Sequence, residues 1–142
     1  MKVEQILQSK GTDVHAVSED AAIADAVAML NDKNIGAVLV RDGKDGIAGI
    51  LSERDVVRRL GEKGADALSL KVKDCMTQDP FTCSPDASVD DLMAQMTEKR
   101  VRHLPVMNDG KILGVVSIGD VVKRKIEQAE KEAEALKEYI AS

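Results

Sequence analysis

The sequence predicts an α/β (α+β) chain built of two β-α-β-β-α repeats, packed face to face with pseudo-two-fold symmetry and followed by a C-terminal helical extension. Three observations carry this. An internal duplication covers most of the 142 residues, the hydrophobic periods change in the same order inside each copy, and each closing helix begins at a Ser-x-x-Asp segment.

The duplication is plainest where Ile47 to Leu60 is laid on Ile112 to Lys125, with identity at seven of fourteen positions. Upstream, the same offset within one residue pairs Ser18 with Ser84, Asp20 with Asp86, Asp25 with Asp91, Lys33 with Lys99 and Val40 with Val106. The repeats are expected at residues 3–60 and 72–126. Residues 61–71, with two glycines and mixed charge, are expected to link them, and residues 127–142 to form the extension.

Within each copy the elements follow in turn. Val14 to Val17 and Phe81 to Cys83 are short extended candidates. Ile23, Ala26, Val27 and Leu30, like Val89, Leu92, Met93 and Met96, recur at helical spacing. Ala37 to Val40 and Ile47 to Leu51 flank Asp42-Gly43, and Leu104 to Val106 and Ile112 to Val116 flank Asp109-Gly110; each pair predicts a hairpin. A second helix starts at Ser52 and at Ser117. A unit of about 55 residues buries little of its own surface, so the two copies should pack together.

Composition narrows the function classes. With 44% hydrophobic and 32% charged residues the chain is a folded one, and apolar stretches such as Ile35 to Val40 are far shorter than a bilayer helix requires. Met1 to Gly11 has no apolar signal-peptide core, so a cytoplasmic protein is expected. The net charge of −5 argues against holding a phosphate backbone by counterion release, and 1% aromatic residues leaves no base-stacking platform, so nucleic acid is an unfavoured partner. Cys75 and Cys83 fit neither a disulfide framework nor a metal motif, and with His15 and His103 as the two histidines no three-ligand metal spacing exists. Reduced, buried thiols are expected. Neither a nucleophile elbow, nor His-Glu-x-x-His, nor a Walker loop is present, and the glycines from Gly43 to Gly49 lack Rossmann spacing, so no enzyme and no catalytic residue is expected.

The Ser-x-x-Asp segments admit two chemistries. A carboxylate at the start of a helix can accept from both vicinal hydroxyls of a ribose, while the serine hydroxyl and free helix amides offer donors to phosphate. The same spacing is also close to a capping box, in which the serine and the acid satisfy the helix's own unpaired amides. Ser88-Val-Asp-Asp91 has that spacing with no hairpin strand before it, which favours capping when spacing is taken alone.

Taken together, the doubled β-α-β-β-α order, Gly49-Ile-Leu-Ser52-Glu-Arg-Asp55 with Gly114-Val-Val-Ser117-Ile-Gly-Asp120, and Arg102-His103-Leu-Pro105-Val106 make residues 3–126 resemble a tandem CBS-domain pair, or Bateman module, of the stand-alone bacterial type. The resemblance implies a regulatory module that holds an adenine nucleotide or adenosyl compound (AMP, ADP, ATP, NAD or S-adenosylmethionine) in a cleft between the copies. No cofactor is required, and the ligand expected is AMP, ATP or NAD. It implies a main site at Ser117 and Asp120, joined by Arg102 and His103 and completed by Thr12, Val14, Ile35 and Gly36 from the other copy. A second site would comprise Ser52, Arg54 and Asp55 with Thr82 and Val101, and with Lys10 as a phosphate contact. Copy one has Gly36 and Ala37 where copy two has the basic pair, which ranks the Asp120 site first. No metal is expected at either site.

From Val122 the apolar positions Val122, Ile126, Ala129, Ala133, Leu136 and Ile140 step by 4, 3, 4, 3 and 4 residues, a heptad seam of fewer than three heptads. It predicts either a helix that pairs with a partner or one that folds back on its own domain. Relatives commonly form homodimers, so a homodimer acting on an unknown client protein is expected. The alternative function is a ligand-free interaction or dimerisation module whose Ser-x-x-Asp pairs are only helix caps.

Overall fold

A computed structural model of the chain describes residues 1–11, 13–44 and 46–141. In chain order the elements are α1 (Val3–Lys10), β1 (Ala16–Ser18), α2 (Ile23–Lys33), β2 (Ala37–Arg41), β3 (Ile47–Ser52), α3 (Glu53–Lys63), two 3-10 turns (Gly64–Ser69 and Val72–Asp74), β4 (Thr77–Gln78), α4 (Val89–Lys99), β5 (His103–Asn108), β6 (Lys111–Ser117) and α5 (Ile118–Ala141). The α/β class and the duplicated order are as the periods predict. The chain divides into one compact unit of Met1–Asp13 with Phe81–Ser142, and another of Val14–Pro80.

In the unit Val14–Pro80 a sheet runs β1-β2-β3-β4, with β1 parallel to β2 and the other pairs antiparallel. Helix α2 lays Ile23, Ala26 and Leu30 against it, and the core adds Val38, Val40, Leu51, Val56 and Val72. In the other unit β5 and β6 form the hairpin, and the expected strand Phe81 to Cys83 contracts to a single parallel bridge between Cys83 and Val106. Helix α4 buries Val89, Leu92 and Met96 at the same three positions that α2 uses. The correspondence reaches the irregularities. Both hairpins shift register at one place, Val40/Arg41 and Val106/Met107, and both first helices end on a left-handed residue, Asn34 and Arg100. Cys75 and Cys83 are free and buried, and burial pushes the Cys83 thiol up to about 11.

The compact units do not follow the repeat boundaries, because the segment that opens each repeat packs with the other repeat's sheet and first helix. Val3 N donates to Ala87 O at 2.9 Å and Val89 N to Met1 O at 2.9 Å; correspondingly, Val72 N donates to Ala21 O at 2.8 Å and Ile23 N to Leu70 O at 2.8 Å. The bridges Lys2–Ser88 and Ala22–Lys71 are the same contact made twice. A glycine admits each opening segment. At Gly49 a Cβ would collide with the Thr77 carbonyl oxygen, and at Gly114 one would lie 2.8 Å from Leu7 Cδ2. The approach of backbone at Gly49 requires a residue without a side chain, whereas at Gly114 the neighbour is the movable tip of Leu7.

Residues 61–71, which join the two repeats, are themselves folded within the unit Val14–Pro80. Helix α3 continues to Lys63, a 3-10 turn follows, and Ala67 is fully buried. Helix α1 and strand β4 have no counterpart among the expected elements, although Val3, Ile6 and Leu7 bury a face at i, i+3 and i+4 spacing that marks α1 in the sequence. The C-terminal extension and the closing helix of copy two are one helix of 24 residues.

Candidate functional site: two capped helix starts

Each hairpin delivers its last strand directly into a helix, so Ser52 and Ser117 sit where an extended backbone meets four unpaired amides. Ser52 caps α3: its Oγ accepts from Asp55 N at 3.3 Å, while Asp55 Oδ2 accepts from Ser52 N at 2.9 Å and from Ser52 Oγ at 3.1 Å. Ser117 repeats the arrangement on α5, its Oγ accepting from Asp120 N at 3.2 Å and Asp120 Oδ2 accepting from Ser117 N at 2.9 Å. Both segments are reciprocal capping boxes. Ser88 makes the one-sided version, accepting from Asp91 N at 3.0 Å.

The two helix starts differ in charge. Lys10 Nζ donates to Asp120 Oδ2 at 2.6 Å, the side chains being 37% and 24% exposed. Lys10, expected beside Ser52 and Asp55, is thus a companion of Asp120. The cause is the placement of α1, which brings the end of the opening segment over the start of α5 within one unit. Burial alone would raise the Asp120 carboxyl, but the Lys10 ammonium and then the Ser117 amide outweigh it and hold the group below the ordinary aspartate range.

Arg102 and His103 belong to the same place. The Arg102 carbonyl accepts from Ile118 N, the first amide of α5, at 2.8 Å, and His103 is directly opposite Ser117 in the β5–β6 register. In the other unit the Gly36 carbonyl accepts from Glu53 N at 2.9 Å and Ala37 is opposite Ser52, so copy one builds the frame without the basic pair. Arg54 lies in the first turn of α3, between Ser52 and Asp55.

The remaining expected residues are distributed as follows. Val14, Ile35 and Gly36 belong to the unit of Ser52 and Asp55, where Ile35 N donates to Leu30 O at 3.1 Å. Thr82 and Val101 belong to the unit of Asp120; the Thr82 carbonyl accepts from Gln95 Nε2 at 3.2 Å and Val101 N donates to Met96 O at 3.1 Å. Thr12 lies outside the described residues. Among the described residues no cluster of three or more His, Cys, Asp or Glu side chains could hold a metal ion, and no helix is long and apolar enough to cross a membrane.

The profile of the CBS domain matches this chain twice, over residues 3–62 and 72–127. The chain belongs to the CBS-domain family. Its two CBS motifs make it a CBS pair, a regulatory module. The CBS domain-containing protein CBSX3, mitochondrial, of Arabidopsis thaliana is 35% identical over 97% of this chain and 71% of its own length. A solved CBS-domain containing protein from Agrobacterium tumefaciens is 40% identical, superposes with a TM-score of 0.85, and is matched over 87% of this chain and 92% of its own. The CBS domain pair of protein MJ0100, solved in complex with 5'-methylthioadenosine and S-adenosyl-L-methionine, shares the fold at a TM-score of 0.80 and 20% identity, over 90% of this chain and 98% of its own.

Proposed function

We propose that this CBS pair is a non-enzymatic regulatory sensor that binds an adenine nucleotide, AMP, ATP or NAD, at Asp120. The observation that carries the reading is the part-buried Asp120 carboxylate at the start of α5, with the Lys10 ammonium 2.6 Å away, His103 opening the adjoining strand and Arg102 just before it. An acceptor for a sugar diol beside basic side chains for phosphate is the pairing that a ribonucleotide requires. Capping does not preclude it. The bonds described to Asp120 fall on Oδ2, and a carboxylate has about four lone-pair sites. That MJ0100 was solved with two adenosyl compounds supports the ligand class. Ser52, Arg54 and Asp55 form a second, weaker site, because Gly36 and Ala37 stand there in place of the basic pair Arg102 and His103.

Signalling follows from linkage, since a ligand shifts a conformational equilibrium only by its differential affinity for the two states. The same proposal has the protein act in the cytoplasm as a homodimer on a client protein. Thermal unfolding in the presence of AMP, ADP, ATP, NAD or S-adenosylmethionine tests the ligand. Binding at one hundred times the dissociation constant adds about 2.7 kcal/mol of stability. No shift with any of the five removes the sensor reading.

One observation favours a second reading. Both Ser-x-x-Asp pairs are complete capping boxes, as an interaction module without a ligand would need. That reading predicts equal loss of stability for Asp120→Asn with and without nucleotide.

A further inference from the structure

We propose that α5 joins two copies of this chain as a parallel, in-register, two-stranded coil. This rests on the homodimer reading above and names the surface that makes it. Helix α5 has 24 residues, about 36 Å at 1.5 Å per residue, yet the residue it buries in its own unit is Val121, and residues 129–141 are exposed throughout. The helix does not fold back. Its heptad seam is bare, with Ile126, Leu136 and Ile140 exposed by 54%, 59% and 75%. A projecting helix of about 13 residues is marginal in water by itself, and a seam of this kind gains stability when a second helix covers it.

The charges beside the seam select the occupant and its direction. With Ile126, Ala133 and Ile140 at a and Val122, Ala129 and Leu136 at d, the g positions include Lys125 and Glu132 and the e positions include Glu130 and Lys137. In a parallel pair each g residue meets the e residue five places on in the other helix. That sets Lys125 opposite Glu130 and Glu132 opposite Lys137, each twice by symmetry, all of opposite sign. In an antiparallel pair g meets g and e meets e, which places Glu130 on Glu130, Glu132 on Glu132 and Lys123 on Lys137. The pattern is self-complementary in one direction only. Lys125 already reaches Asp90 of its own chain at 2.7 Å, so Glu132 and Lys137 are the cleaner pair to perturb.

Sedimentation equilibrium of the full chain and its variants provides the test. The expected result is a dimer weakened at least tenfold by Leu136→Glu and several-fold by Glu132→Lys, with affinity restored when Lys137→Glu is added to Glu132→Lys. Position 136 is exposed, so circular dichroism should show Leu136→Glu still folded. Oxidation of the Ile140→Cys variant should link two chains, whereas an antiparallel pair would bring position 140 beside position 122 and leave it unlinked; Cys75 and Cys83 are buried and do not interfere. A dimer that survives Leu136→Glu unchanged, or an Ile140→Cys variant that does not cross-link, overturns the coil and leaves the homodimer reading standing. A wild-type monomer at high micromolar concentration overturns both.

Discussion

Replacing Asp120 by Asn separates a capping aspartate from a ligand-binding one, because the amide oxygen can still accept from the Ser117 amide while the charge is gone. Without ligand, the variant loses the pairing with Lys10. Both side chains are partly exposed, so the pair is worth about 0 to 1 kcal/mol, and the weakened cap adds a loss of about 0.5 kcal/mol or more. With ligand the effect is larger. Hydrogen bonds from ribose hydroxyls to a carboxylate contribute about 1.5 to 3 kcal/mol, so the dissociation constant should rise roughly 13- to 160-fold. At a nucleotide concentration one hundred times the wild-type constant, the stabilisation then falls from about 2.7 to about 0.3 to 1.3 kcal/mol. For a chain of this size that is a loss of several degrees of ligand-induced shift, on the order of 2 to 4 °C per kcal/mol. Differential scanning calorimetry with and without AMP or ATP measures both quantities on one sample. Ser88→Ala is the control, since it removes a cap of the same kind and should leave the ligand increment intact. A ligand increment that Asp120→Asn leaves unchanged would refute the assignment and return both segments to capping alone.

Two further outcomes follow from the packing and the charge. Gly49→Ala should cost about 1 to 3 kcal/mol in urea unfolding, because its methyl group meets the Thr77 carbonyl of the paired backbone; Gly114→Ala should cost less, because the Leu7 side-chain tip can turn aside, and equal costs would contradict this packing. The Asp120 carboxyl titrates lower when folded than its unfolded value of about 3.9, so its contribution is present above that value and lost as the pH falls through the folded one. The stability difference between wild type and Asp120→Asn should therefore be level from neutral pH to about pH 5 and shrink below about pH 4. A difference that grows on acidification would contradict the Lys10 pairing.

The repeat, the order of elements and both helix starts are legible in the amino-acid order alone, because these depend on local periods and on residues three apart. Ile23, Ala26 and Leu30 must share a helix face, Asp42-Gly43 must turn, and Ser117 with Asp120 must lie within one helical turn of each other. Which unit each opening segment joins depends on long-range packing. Val3 N and Ala87 O, or Lys10 and Asp120, are separated by most of the chain, and no short spacing encodes a contact between them. The same distance in sequence hid the pairing of Lys10 with Asp120 and the fact that the segment joining the repeats is itself folded, since the burial of Ala67 and the bridge from Lys71 to Ala22 arise only once the sheet has formed. The heptad seam lies between the two cases. Its spacing was legible from Val122 to Ile140, but only the folded unit, which buries Val121 and leaves residues 129–141 in water, shows that the chain does not cover the seam itself.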